Sequence, residues 1–218
     1  AIDTWRTGDV PTLEVEVDDT DLVQLLYTSG TTSAPKGAMM THRGLMHEYV
    51  SSVIALDFTE ADNPLHCMPL YHSAQMHVFL LPQLMVGATN HLMARPDVPE
   101  LLRRTAAQRH RSLFLAPTVW VPLTNHPDFE QADLSSLRKA YYGASIMPVP
   151  VRKRLSERLP ELGFYNCFGQ SEIAPLATVL RPEEHDERPE SCGRPVTFVE
   201  MRVVDEKGDE AADGEPGE

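Results

Sequence analysis

Cysteine is scarce: the 218 residues hold three, Cys67, Cys167 and Cys192. An odd number with no metal-type spacing gives neither a disulfide framework nor a zinc site. The three are read as reduced thiols of a cytoplasmic protein. Basic charge is also short, with 19 Lys and Arg against 32 Asp and Glu and a net charge of −13. A nucleic-acid partner needs a basic groove, so none is expected. Long apolar runs are missing. The longest, residues 78–86, is broken by Pro82 and Gln83, and a membrane-spanning helix needs about 20 apolar residues. No signal-peptide pattern and no internal repeat are seen. What is there is 42% hydrophobic content, enough for one large domain or one and a half small ones.

Order along the chain comes from apolar periodicity. Residues 22–26 read as a buried strand, and Thr41 as the N-cap of a helix carrying Leu45, Met46, Tyr49, Val50, Val53 and Ile54 at helical spacing. Further strands are expected near residues 64–68, 88–92, 113–116, 137–142 and 163–167. Helices are expected over 76–85 with a kink at Pro82, after the cap Asp97, over 117–123, and over 148–159 with Arg152, Lys153, Arg154 and Arg158 outward. Alternating strands and helices predict an α/β fold, a mostly parallel sheet with flanking helices. Residues 1–19 read as a linker or edge segment, 20–185 as the α/β domain, and 186–218 as the start of a β-rich subdomain. In that last part residues 181–190 read as a solvated charged loop, 200–205 alternate as a half-buried strand does, and Lys207-Gly208-Asp209 reads as a hairpin-type turn.

Four stretches carry chemistry. The first is Tyr27-Thr28-Ser29-Gly30-Thr31-Thr32-Ser33-Ala34-Pro35-Lys36-Gly37. Glycines let the backbone approach an anion, successive N–H groups form an anion-binding concavity, hydroxyls donate to phosphate oxygens, and Lys36 adds positive charge. A solvated Ser/Thr/Gly loop is the plain alternative. The spacing is not that of a Walker A loop, because Pro35 precedes Lys36 and Gly37 follows it. The second stretch is the turn Pro69-Leu70-Tyr71-His72-Ser73. Taken alone, Tyr71 is as good a core aromatic as a pocket wall, and His72 reads as a structural histidine. The third is Tyr142-Gly143-Ala144-Ser145 and the fourth Asn166-Cys167-Phe168-Gly169-Gln170-Ser171-Glu172. Both stand at expected strand ends, where open α/β sheets bind ligands. On their own they read as a plain Gly turn and a solvated glutamate.

Together these stretches resemble the AMP-forming adenylating enzymes: acyl-CoA synthetases, adenylation domains of nonribosomal peptide synthetases, and beetle luciferases. The family loop is Thr-Ser-Gly-Thr-Thr-Gly-x-Pro-Lys-Gly, with Ser33 here where Gly is usual. The resemblance implies that Thr28, Ser29, Gly30, Thr31, Thr32 and Lys36 bind the ATP phosphates. The family's Gly-Gly-Ala turn maps onto Tyr142, Gly143 and Ala144, with Ser145 beside it, between adenine and the acid. Its Asn-x-Tyr-Gly-x-Thr-Glu motif maps onto residues 166–172. Phe168 would stack on adenine and Asn166 lie near its edge, with Cys167, Gly169 and Gln170 lining the same site. Ser171 would donate to the α-phosphate and Glu172 hold Mg2+. Tyr71, His72, Tyr142 and Gly143 would border the acid. Catalysis would rest on Glu172, Ser171 and Lys36.

The implied reaction joins a carboxylic acid, expected to be a fatty acid, to coenzyme A through acyl-AMP, using ATP and Mg2+. An amino-acid or aryl-acid adenylation domain, or an inactive nucleotide-binding relative, is the alternative. Trp5-Arg6-Thr7-Gly8-Asp9 looks like the family's ribose-binding Thr-Gly-Asp, but it precedes the phosphate loop instead of following it. The resemblance covers the chain after about Asp19 and only the middle of a family enzyme. An inactive fragment is therefore expected, with uncovered apolar surface that favours a homodimer.

Overall fold

The computed structural model describes residues 14–28 and 34–218. Ser29, Gly30, Thr31 and Thr32 of the loop, and Asp9, lie outside the described residues. Strands β1 (Leu22–Thr28) and β2 (Lys36–Thr41) form an antiparallel hairpin in which Thr28 faces Lys36. The sequence reading had no strand over 36–41, because this short run lacks a clear alternation. The hairpin leads into α1 (His42–Ala55), where the Thr41 hydroxyl accepts from the Gly44 N–H at 3.1 Å. Arg43 binds Asp19 through two nitrogens at 2.7 and 2.8 Å, which ties the first turn of α1 to the segment before β1.

The main sheet holds seven strands in the order β4-β3-β5-β6-β7-β8-β9. These are β3 (Leu65–His66), β4 (His91–Leu92), β5 (Ser112–Phe114), β6 (Lys139–Gly143), β7 (Gly163–Gly169), β8 (Leu176–Leu180) and β9 (Arg194–Pro195). The pairings from β4 to β7 are parallel and those from β7 to β9 antiparallel. The fold class is thus the expected one, a mostly parallel sheet flanked by helices. Chain order reverses at β3: β4 lies on one side of it and β5, β6 and β7 follow on the other. That geometry opens a crevice beyond the carboxyl ends.

Alternation along the strands divides the core into two layers. Ala140 and Tyr142 of β6 face Leu101, Trp120 and Leu155. These come from α3 (Val98–Gln108), α4 (Pro117–Asn125) and α5 (Val149–Arg158). Tyr141 points the other way, to Leu56, Phe79 and Tyr165. The polar atoms of the two central aromatics have partners. The Trp120 indole donates to the Tyr141 carbonyl at 3.2 Å, and the Tyr141 hydroxyl donates to the Leu56 carbonyl at 2.8 Å. Asp97 caps α3 by accepting from the Glu100 N–H at 3.0 Å. Lys139 reaches across to Asp62 at 2.7 Å, with both side chains largely buried.

Several details depart from the sequence reading. The helix expected over 76–85 begins as a wide π turn (Ala74–Leu80) and becomes α2 (Leu81–Met85), with Pro82 in the first turn of α2. Arg158 does not point outward. It lies over the Phe129 ring at 4.4 Å, because its aliphatic stem can cover an aromatic while its head stays near Glu130. Residues 181–190 are not a free loop. Arg181 pairs with Asp57 at 2.6 Å, and His185 is buried against Tyr142. Residues 200–205 form no strand. They are exposed or half-buried; Val204 forms an isolated bridge to Glu210 and exchanges backbone hydrogen bonds with Glu218 at 2.8 and 2.9 Å, a pairing too short to build a ladder. The turn after them is as expected, closed by the Gly208 N–H on the Asp205 carbonyl at 3.0 Å.

Candidate functional site

Three of the stretches meet at the carboxyl ends of β5, β6 and β7. There they line a cleft of about 390 Å³. Gly143, Ala144 and Ser145 leave β6 on one side, and Asn166, Cys167, Phe168, Gly169, Gln170 and Ser171 border it along and after β7. Gly143 is required by sterics: a Cβ there would overlap the Cys167 carbonyl oxygen of the neighbouring strand. Gly169 is held in the same way by the Pro175 carbonyl. The next residue, Ala144, sits at φ 64°, a left-handed conformation that turns the chain away from the sheet.

The β7 motif is presented outward. Phe168 is 42% exposed at the strand end, unusual for a large aromatic so close to a core and suited to stacking on a planar ring. Asn166 donates to the Ser191 carbonyl at 3.1 Å, which draws the 191–193 segment over the cleft rim where Cys192 stands. Ser171 and Glu172 occupy a short 3-10 turn, and the Gln170 N–H before them donates to the Pro175 carbonyl at 2.9 Å. Glu172 is exposed and makes no ion pair with any described residue. A free carboxylate next to a hydroxyl suits a hard divalent cation whose remaining ligands are phosphate oxygens and water.

The tyrosine-histidine turn arrives from β3, on the far side of the order reversal, and the member of it that lines the cleft is Ser73. Tyr71 and His72 are exposed and do not line the cleft. Ser73, their neighbour, is buried, and its hydroxyl lies 2.8 Å from that of Ser171. The inward wall is apolar, built from Ala74, Val78 and Phe79 of the π turn, Phe114 at the end of β5, and Leu176. Phe79 and Phe114 stack with centroids 4.0 Å apart. The strand-end rule could have found Phe114; nothing in the local sequence marks the π turn. Tyr142 belongs elsewhere. Its side chain points to the opposite face of β6, where its hydroxyl meets His185 at 3.0 Å.

Thr28 and Lys36, the described ends of the Ser/Thr/Gly loop, sit on the hairpin, where Lys36 is exposed. His77 fastens that hairpin to the body. One ring nitrogen lies 2.6 Å from the Gln24 amide oxygen and the other 2.9 Å from the Tyr49 hydroxyl. Burial holds His77 below the usual imidazole range, so it is neutral, donating to Gln24 and accepting from Tyr49. A second neutral histidine, His66, accepts from Gln75 at 2.7 Å and donates to Asn90 at 2.6 Å. Burial pushes its pKa down to about 4. This polar chain orders the β3 exit that leads to Ser73.

Comparison with known proteins agrees with this geometry. The family model described as AMP-binding enzyme matches residues 3–218. The chain is 34% identical over 208 residues to a feruloyl-CoA synthase from an Amycolatopsis species, covering 95% of this chain and 42% of that protein. It is 36% identical over 214 residues to a medium/long-chain-fatty-acid–CoA ligase of Mycobacterium tuberculosis, covering 95% of this chain and 36% of that one. The chain thus spans well under half the length of these curated relatives. Among solved structures, a long-chain-fatty-acid–CoA ligase from Archaeoglobus fulgidus superposes with a TM-score of 0.83 at 26% identity, over 98% of this chain and 44% of that chain. The inhibitor-bound N-terminal domain of FACL13 from Mycobacterium tuberculosis gives 0.85 at 23% identity over 96% and 52%, a likeness of fold. The matched family model, spanning nearly every residue, and the convergence of the three motifs on one cleft lead to one conclusion: this chain belongs to the AMP-binding enzyme family.

Proposed function

We propose that the chain is the nucleotide- and acid-binding part of an AMP-forming acid–CoA ligase. In this reading residues 20–185 supply the binding body and residues 186–218 open a β-rich region. The observation that carries the reading is the meeting of Ser73 with Ser171 across the cleft bordered by residues 143–145. A carboxylate is a poor acyl donor, because its leaving group would be oxide. Attack of its oxygen on the α-phosphorus of ATP expels pyrophosphate and gives acyl-AMP. The thiol sulfur of coenzyme A then attacks the acyl carbon, AMP leaves, and the thiol proton passes to solvent.

The chain's own residues orient and stabilise. Phe168 stacks on adenine, with Asn166 and residues 143–145 fixing its edge and the turn beside it. Ser171 donates to an α-phosphate oxygen, and Ser73 holds the Ser171 hydroxyl in place. Lys36, with Thr28 and the loop hydroxyls, meets the outer phosphates, and Glu172 is the Mg2+ ligand. When bound, Mg2+ neutralises phosphate charge as pyrophosphate departs. Positioning in an apolar cleft supplies much of the rate. The apolar wall fits the hydrocarbon of a fatty acid, the substrate class proposed here. An aryl acid is the second reading, favoured by the stacked Phe79 and Phe114 and by the feruloyl-CoA synthase among the relatives.

The test is a panel of fatty, aryl and amino acids given to the full-length gene product with ATP, following pyrophosphate release with and without coenzyme A. Glu172→Gln is expected to cut acid-dependent release by about 100-fold or more, the usual loss for a preorganised charge-stabilising group. Lys36→Ala should cost less. Near wild-type release by Glu172→Gln would remove the Mg2+ assignment, and release driven only by amino acids would replace the CoA ligase reading.

A further inference from the structure

One buried ionisable group near the cleft has no part in the chemistry above. Glu48 lies on α1 and is 4% exposed. Its carboxyl accepts from the Ser52 hydroxyl at 3.1 Å, one turn along the same helix. It also accepts from the Leu176 backbone N–H, with both oxygens at 3.3 Å. Leu176 ends the segment 170–176, which carries Ser171 and Glu172 and lines the cleft at Pro175 and Leu176. Its other anchors are backbone ones: Leu176 pairs with Gly169 beside an irregular register between Phe168 and Gly169, and the Gln170 N–H donates to the Pro175 carbonyl, so Glu48 is the side chain that ties this end to α1. The other end of α1 is continuous with β2 and therefore with Lys36.

We propose that Glu48 is a positioning residue, its buried carboxyl joining α1 to the 170–176 segment so that Ser171 and Glu172 are held in register with the Lys36 hairpin. Coupling of two sites through a rigid helix needs a fixed contact at each end. Thr41 and Arg43 supply it at the hairpin, and Glu48 supplies it at the segment. The carboxyl works in its neutral form. Burial raises its pKa to about 8, against the lowering effect of Ser52 and Leu176. The titratable groups that face it are Tyr49 on its own helix and Cys167 on β7; burial raises the pKa of both, with a smaller upward push from Glu48. His77 stands behind Tyr49, and β8 brings no ionisable side chain. Ionisation of Glu48 would put a buried negative charge beside a segment meant for phosphate.

The inference rests on the nucleotide-binding reading, so its test includes readouts that do not depend on turnover. The full chain, wild type, Glu48→Gln and Glu48→Leu, is compared in three ways: binding of Mg-ATP by calorimetry from pH 6.5 to 9, thermal melts over the same range, and hydrogen exchange of the Leu176 amide. Gln keeps an acceptor and cannot ionise. It should bind within about two-fold of wild type at pH 7 and stay flat, whereas wild-type affinity falls about five- to ten-fold by pH 9, one unit past the carboxyl's midpoint. The folded carboxyl holds its proton through a range where the unfolded one has lost it. Wild-type Tm should therefore drop relative to Gln as pH rises from 6.5 to about 8, the upper part of that range, and level off above it. Leu leaves the Leu176 N–H without a partner, and its exchange should speed up at least ten-fold with the Gln protein unaffected. Parallel pH profiles for wild type and Gln, or a Leu176 amide equally protected in both variants, would overturn the positioning role. If no form binds Mg-ATP at any pH, the nucleotide reading fails, and the melts and amide exchange still decide the role of Glu48.

Discussion

Gly143→Ala is the smallest change that tests how the cleft is built. Gly143 pairs with Cys167 in the parallel register of β6 and β7. A Cβ at position 143 would meet the Cys167 carbonyl carbon and oxygen, and a backbone atom cannot rotate away as a side chain can. The two strand ends must part by a few tenths of an ångström or more. Overpacking of this kind costs about 1–3 kcal/mol. In a chain of this size each kcal/mol moves Tm by about 2–4 °C, so a fall of about 2–12 °C is expected. The strand ends that part carry residues 143–145 and 166–171, so the loss in Mg-ATP affinity should exceed that of an equally destabilising change in α5, such as Leu155→Val. Ala144→Gly is the opposite control. It relieves the left-handed strain at φ 64° and should leave Tm unchanged or slightly raised. Scanning calorimetry and nucleotide titration on the three variants measure both effects. A Gly143→Ala protein melting within about 1 °C of wild type would show that the strand ends are not in contact as described.

Three further outcomes are expected. Lys139→Met should cost about 3–5 kcal/mol in urea unfolding, because it leaves Asp62 buried without its partner; an unchanged midpoint would place Asp62 in water. His66 is neutral when folded with a pKa near 4 and takes up a proton at about 6.5 when unfolded, so its contribution is complete above pH 6.5 and lost as pH falls toward 4. The gap corresponds to about 3 kcal/mol, and the melting curves of wild type and His66→Gln should converge over that window; parallel curves would refute the neutral imidazole. Finally, Leu22, Val23, Leu25, Tyr27 and Met39 leave an exposed apolar face on the hairpin. The chain is expected to self-associate through it, more weakly after Leu25→Lys, and light scattering of a clean monomer at high concentration would count against this.

Residue types and their order along the chain determined the fold class. Strand-sized apolar runs alternating with capped helices admit little besides a sheet covered on both faces, and Thr41 and Asp97 cap where a hydroxyl or carboxylate before a helix must. Sequence also named residues 143–145 and 166–171 as one site, since strand ends of a parallel sheet meet at one edge. The tertiary structure alone decided which side chains reach that edge. Strand alternation sends Tyr142 away from the cleft to His185, and the turn after β3 sends Tyr71 and His72 outward and Ser73 inward. It alone brought Phe79, Phe114 and Glu48 to the cleft or its wall. Their sequence neighbourhoods look like ordinary helix and strand, and proximity across 35 or 128 positions is a property of how layers pack, not of any local pattern. The strand missed at 36–41 and the strand wrongly expected at 200–205 share one cause: pairing is a matter of what lies alongside, and a short segment does not carry its partner in its own residues.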